Sequence, residues 1–190
     1  LTLTWNDKGK LIKAEGQPIL LDASVKPDEK LAARVKEMAA PIEELKQRRV
    51  ADISAPIDGE RVTCRARECE MGNVVAEAML DRVKDQGITI AIQNGGGLRA
   101  SIAAGPVTMG DVLTVLPFQN TLSTFELRGE DVVAALENGA SQIEEGAGRF
   151  AQVAGLKYTL DPAAPVGSRI SEVLVRSGAD WVPIDRNAVY

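Results

Sequence analysis

The hydrophobic positions change period several times along the chain, and each change marks an element. Leu1 to Trp5 alternates apolar and polar residues, Asn6-Asp7-Lys8-Gly9 supplies turn chemistry, and Leu11-Ile12 resumes the apolar run, so a β-hairpin is predicted. A two-stranded hairpin is marginal alone. Residues 1–22 are therefore expected to belong to a sheet whose other strands lie outside the chain. From the helix-starting Pro27-Asp28-Glu29, the residues Leu31, Val35, Met38, Ile42 and Leu45 recur at helical spacing up to about Arg49. Pro41 is expected to kink this helix. A long amphipathic helix between an orphan hairpin and a compact remainder reads as an interdomain linker over residues 23–49.

From Val50 onward the pattern is mixed. Val50 to Ile57 is predicted as a short strand, and Gly72 to Lys84 as a helix with Val74, Val75, Ala78, Met79 and Val83 on its apolar face. Ile88 to Gln93 reads as a buried strand that runs straight into Asn94-Gly95-Gly96-Gly97-Leu98-Arg99. Thr108-Met109-Gly110-Asp111 has the form of a capping box ahead of a helical Val112 to Leu116. Thr121 to Arg128 alternates as a strand in which Phe125 should pack inward, and Glu130 to Ile143 gives another helix. Val153–Leu160, Ile170–Arg176 and Trp181–Ile184 are further strands, and Asn187 to Tyr190 reads as the beginning of one more. The expected fold class is α+β, a mixed sheet packed with helices. The chain opens at Leu1 without a Met or a basic-then-apolar leader, so any targeting signal is expected to lie outside it.

Composition narrows the chemistry. Twenty-two Lys+Arg against twenty-seven Asp+Glu leave a net charge of −5, which disfavours a broad nucleic-acid surface but allows a small positive cluster. No stretch approaches the roughly eighteen apolar residues of a membrane helix. The chain contains no histidine. That excludes histidine-dependent chemistry within it, including the usual zinc sites and Ser or Cys triads.

Three segments could carry chemistry, and each has two readings. Glycines at a strand's carboxyl end can take positive φ and let backbone N–H groups approach a ligand, with Arg99 as a forked donor beyond them; Gly95-Gly96-Gly97 can equally be a plain flexible turn. In Cys64-Arg65-Ala66-Arg67-Glu68-Cys69, two arginines ahead of a helix suit a phosphate or carboxylate, or they pair with Glu68 and Glu70. The two cysteines, five apart, can close a small ring if the backbone turns. A metal site wants four ligands, and neither a third Cys nor any His exists. A disulfide, with the oxidising compartment it implies, is favoured over two buried reduced thiols. In Leu116-Pro117-Phe118-Gln119-Asn120, Phe118 is either a platform for a planar ligand or a core residue. Phe150 is undecided.

Taken in order, these strings resemble the C-terminal domain of the 5′-nucleotidase family, which includes UDP-sugar hydrolases, 2′,3′-cyclic-nucleotide phosphodiesterases and ecto-5′-nucleotidases. They are Arg65-Ala66-Arg67-Glu68 with Met71-Gly72-Asn73, Asn94 to Arg99 with Ile102, and Gly110-Asp111-Val112 leading to Leu116-Pro117-Phe118-Gln119-Asn120. Gly129 to Leu136 also fits. The resemblance covers residues 50–190, with 1–22 resembling the last strands of the family's metallophosphoesterase domain and 23–49 its connecting helix. Glu70 stands where family members commonly have Asn, and the Cys64/Cys69 pair occurs in only some of them.

The resemblance implies an exported, periplasmic or extracellular, two-domain hydrolase of nucleoside 5′-phosphates. Two divalent metal ions, such as Zn or Mn, would sit in an N-terminal domain outside this chain and activate water there. This chain would hold no cofactor and no catalytic residue. It would bind the nucleotide, with Arg65 and Arg99 on phosphate or ribose oxygens, Asn94 on the sugar or base edge, Gly96 and Gly97 allowing close approach, and Phe118 on one face of the base. Its partners would be a nucleotide or nucleoside and its own N-terminal domain. Alternatives are a non-catalytic nucleotide-binding or interaction module, and a thiosulfohydrolase-like relative with another substrate.

Overall fold

Asn6 makes the first reversal of the chain: its Oδ1 accepts from the N–H groups of Lys8 (3.0 Å) and Lys10 (2.9 Å). In the computed structural model, which describes residues 1–190, this turn joins β1 (Thr2–Trp5) to β2 (Leu11–Glu15) as an antiparallel hairpin. Asp28 Oδ1 then accepts from Leu31 N at 2.9 Å and starts α1 (Glu29–Gln47), which runs unbroken through Pro41 with its apolar stripe exposed. The chain divides into two compact units, Leu1–Ile42 and Glu43–Tyr190.

In the second unit the last residues of α1 lead into β3 (Arg49–Ile53), paired antiparallel to β5 (Gly105–Thr108). Between them lie α2 (Arg61–Cys64), α3 (Glu70–Val83) and β4 (Ala91–Asn94). After β5 comes α4 (Met109–Val115). Thr108 and Asp111 cap it reciprocally, as their spacing predicts, and the Thr108 N–H and hydroxyl hold the Asp111 carboxyl below its ordinary range. The helix α5 (Gly129–Ala140) precedes β6 (Ala151–Ala154), which pairs antiparallel with β4. The meander β7 (Leu156–Leu160), β8 (Ile170–Ser177) and β9 (Asp180–Pro183) follows. The α+β class holds, but the strands form four separate antiparallel sheets rather than a mixed one.

Two buried clusters organise this unit. Val132, Val133 and Leu136 of α5 pack on Leu156, Val173 and Val175. Met71 and Val75 of α3 pack on Leu98, Val115 and the two cysteines. The face that α3 buries is Met71, Gly72, Val75, Ala76 and Val83, whereas Val74 and Ala78 are exposed. Small residues set this phase: Ala76 meets Ala91 and Ala154, which lets the helix lie close to β4 and β6. A reading by side-chain hydrophobicity selects the bulkier Val74 instead.

Thr121 to Arg128 differs most from expectation. It forms no strand, and Phe125 is 67% exposed rather than packed inward. Alternation buries a side chain only when a neighbouring strand covers it; here the only pairing comes at the segment's end, where Leu127 and Tyr190 exchange backbone bonds of 2.9 and 2.8 Å. Phe150, undecided in the sequence, is buried.

Arg169 closes the carboxyl end of α5. Nearly buried, it donates from Nη1 to Ala140 O (2.7 Å) and from Nε to Ala164 O (3.1 Å), and it pairs with Glu144. The hydrogen bond from Arg169 is the largest cause holding the Glu144 carboxyl below its ordinary range. A lowered folded-state value means stability present above the usual carboxylate range and lost as pH falls through it. Glu144→Gln should therefore lower the melting temperature at pH 7, and the gap from the unaltered chain should close in acid, below that range. Scanning calorimetry across pH checks this; a gap that persists in acid would refute it.

Candidate functional site

The first loop of the site is closed covalently. Cys64 at the end of α2 and Cys69 are joined by a disulfide with a Cα–Cα distance of 5.1 Å, and both are buried. Cys69 also caps α3, its Sγ accepting from Gly72 N at 3.3 Å. Arg65 and Arg67 lie inside this small ring and part company. Arg65 is only 9% exposed; its Nη1 donates to Gly146 O at 3.0 Å, and its Nε is buried with no partner. Arg67 is exposed and lines a cavity of about 790 Å³ with Glu68, Asn73, Lys157, Tyr158 and Trp181.

Neither arginine pairs with the acids beside it. Glu68 accepts from Asn73 Nδ2 (2.7 Å), Glu70 accepts from the Asp58 N–H (2.9 Å), and no ion pair involves Arg61, Arg65, Arg67 or Arg99. Burial first, and then the charges of Arg61 and Arg99, hold the Arg65 guanidinium below its ordinary value. It remains a cation at neutral pH. The positive cluster is thus Arg61, Arg65 and Arg99, with Arg67 outside it. The sequence holds the signal for Arg61: four residues before Arg65, it falls on the same helical face.

The second loop is Gly95–Gly97, a 3-10 turn at the end of β4. None of its glycines has the positive φ expected of them. They are needed for room instead. A Cβ on Gly95 would stand 2.0 Å from Cys64 O, and one on Gly96 would stand 2.7 Å from Gly148 Cα. Their N–H groups are already committed, Gly95 to Phe150 O (2.7 Å) and Gly96 to Gly148 O (2.8 Å). Gly96 therefore shapes the site by close backbone packing, not with a free amide. Gly97 is also confined, with Gln93 Nε2 2.3 Å from where a Cβ would be.

The remaining side chains attach to these loops. Asn94 Nδ2 donates to Gly148 O (3.1 Å), and Arg99 Nη1 reaches Gly96 O at 3.4 Å. The Arg99 Cζ lies 5.6 Å from the centroid of the Phe118 ring, a cation–π arrangement. Phe118 is 56% exposed, so it is not core. It follows α4 just before Gln119, whose φ of +53 turns the chain. Arg65, Asn94, Gly96, Arg99 and Phe118 thus form one connected set, joined through the Gly146–Gly148 loop. Gln152, which no local sequence pattern marks, is the buried amide behind the disulfide ring. Its Oε1 accepts from Cys69 N (3.1 Å), and its Nε2 donates to Cys64 O (2.9 Å) and Arg67 O (2.8 Å).

Chemically, this arrangement is a cationic cradle with an aromatic plate beside it. It offers a buried guanidinium short of a hydrogen-bond acceptor, two further positive charges and an exposed ring. It contains no nucleophile–base pair. No group of three or more His, Cys, Asp or Glu side chains is placed to hold a metal, so the chain's residues do not fit a dimetal centre. No helix is long and apolar enough to cross a membrane.

Residues 46–190 match the family described as "5'-nucleotidase, C-terminal domain". The chain belongs to the 5′-nucleotidase family, of which it supplies that C-terminal domain. It is 41% identical over 151 residues to the trifunctional nucleotide phosphoesterase protein YfkN of Bacillus subtilis, covering 78% of this chain and 10% of that protein. It is 33% identical to the 5′-nucleotidase of Diplobatis ommata, covering 96% of this chain and 33% of that one. Among solved structures, the 5′-nucleotidase precursor from Thermus thermophilus superposes with a TM-score of 0.79 at 42% identity, covering 99% of this chain and 37% of that one. The chain thus spans a tenth to about a third of these relatives.

The close contact at Gly95 gives a direct test. Gly95→Ala should destabilise the unit by about 2 kcal/mol or more, since the added methyl meets the Cys64 carbonyl rather than a yielding side chain. Urea unfolding with the disulfide intact measures this; an unchanged midpoint would show that the loops do not pack so closely.

Proposed function

We propose that residues 50–190 are the substrate-binding domain of an exported, metal-dependent phosphoester hydrolase that acts on nucleoside 5′-phosphates. In this reading residues 1–22 are terminal strands of a metallophosphoesterase domain and 23–49 the helix linking the two. Two divalent metal ions would be held by that N-terminal domain, where they would activate water. The residues of this chain bind and orient.

The observation that carries the reading is the buried Arg65 guanidinium with an unpartnered Nε beside Arg61 and Arg99. An unpaired buried cation is costly, and a phosphate oxygen would supply the missing acceptor and charge. Phe118, held on the same side by Arg99, would stack on the base. Asn94 would stay on Gly148 and present its remaining amide hydrogen to the sugar or base edge. The buried disulfide and the venom 5′-nucleotidases among its relatives, such as that of Naja atra, support an oxidising, extracytoplasmic setting.

Calorimetric titration of the 190-residue chain tests the division of roles. Arg65→Met should weaken AMP by tenfold or more, on the order of 1.5 to 3 kcal/mol, and leave adenosine nearly unchanged. Equal losses for both ligands would remove Arg65 from the phosphate. Phe118→Ala should weaken both ligands equally, by about 1 to 2 kcal/mol. The chain supplied with Mn²⁺ or Zn²⁺ should release no phosphate from AMP, and release at an enzyme-like rate would overturn the assignment of catalysis to another domain.

A further inference from the structure

Arg65 is held by little of its own making. Its guanidinium has one protein acceptor, Gly146 O, and its neighbours along the chain sit in a tight covalent ring. What locates that ring is a side chain eighty-odd residues later in sequence. Gln152, 2% exposed on β6, spends its whole amide on the ring's backbone. One Nε2 hydrogen goes to the carbonyl just before Arg65 and the other to the Arg67 carbonyl, while Oε1 takes the Cys69 N–H. The bonds therefore bracket Arg65 on both sides. The amide lies close against Gly72 of α3, where an added Cβ would stand 2.2 Å from its Oε1. The ring lies equally close against the glycine turn, where Gly95 has room for no Cβ against Cys64 O.

We propose that Gln152 is a positioning residue for anion binding: it fixes the backbone on either side of Arg65 and thereby aims the unpartnered Nε into the cradle. The proposal rests on the reading of Arg65 as a phosphate ligand, and it extends that reading to a residue that touches no substrate. The disulfide limits how far the ring can open. Gln152 decides where the closed ring sits. Its amide is suited to this because it offers two donors and one acceptor to a ring presenting two carbonyls and one N–H, a match that neither a carboxylate nor an apolar side chain reproduces.

The test compares Gln152→Leu with the unaltered 190-residue chain, both with the disulfide intact. Nitrogen-15 spectra of the arginine Nε–H groups report Arg65 directly. Arg169, whose Nε–H is fixed on Ala164 O, serves as the internal reference. The Arg65 resonance should move or broaden while that of Arg169 stays in place. AMP affinity should fall about tenfold, with adenosine affinity held within about twofold. A role confined to stability would lower the melting temperature without separating the two ligands or moving the Arg65 resonance, and that outcome would overturn the proposal. If Gln152→Leu does not fold, Gln152→Asn, with its amide one methylene short, must move or broaden the Arg65 resonance while that of Arg169 stays in place; an unmoved Arg65 resonance refutes the idea. If the unaltered chain binds neither AMP nor adenosine, the phosphate reading fails, and the Arg65 resonance still decides whether Gln152 positions it.

Discussion

Three stretches of backbone come together at one point in this fold, and the candidate site exists because nothing but glycine stands between them. The Cys64 carbonyl faces Gly95, and Gly96 faces Gly148, at separations that leave no room for a methyl group. Side chains from each stretch then converge without being long: Arg65 from the disulfide ring, Asn94 and Arg99 from the two ends of the glycine turn, Phe118 from the end of α4. If the loops were spread by even the width of a Cβ, Arg65 would lose Gly146 O, Asn94 would lose Gly148 O, and the cradle would become scattered surface charge.

That constraint also explains how an acidic chain sustains a positive site. The net charge of −5 is spread over exposed carboxylates, many of them occupied locally. Glu68 and Glu70, the acids nearest Arg65 in sequence, are turned to Asn73 and to the Asp58 N–H. Burial keeps water from Arg65, and the neighbouring charges are Arg61 and Arg99. The protein's own groups leave its charge uncompensated, which is the state expected of a group whose partner is a ligand.

Much of this is legible in the residue pattern, and the exceptions have physical causes. The hairpin, α3, α5 and the Thr108 capping box follow from local periodicity and capping chemistry, which act within a few residues. Phe118 and Arg99 stand in short strings with a recognisable order. The roles of Arg61, Gly148 and Gln152 depend on contacts between distant parts of the chain, and local patterns do not report those: Gln152 meets Cys64 across 88 positions. Phe125 departs from expectation for the complementary reason. Its alternation satisfies a strand pattern, but no neighbouring strand covers it. The glycine turn lies where the sequence places it, for a different reason: its glycines relieve crowding and do not adopt left-handed backbone.

On the proposed reading, the disulfide ring, the glycine turn and the Gly146–Gly148 loop would together make one anion-binding face. Chemical-shift mapping of the 190-residue chain during an AMP titration tests this most directly. The backbone amides that move should belong to residues 61–69, 94–99, 116–120 and 146–150, with Arg65 Nε–H moving most among the arginines. Shifts confined to the β7–β9 meander or to the cavity beside Trp181, with the three loops unmoved, would contradict it.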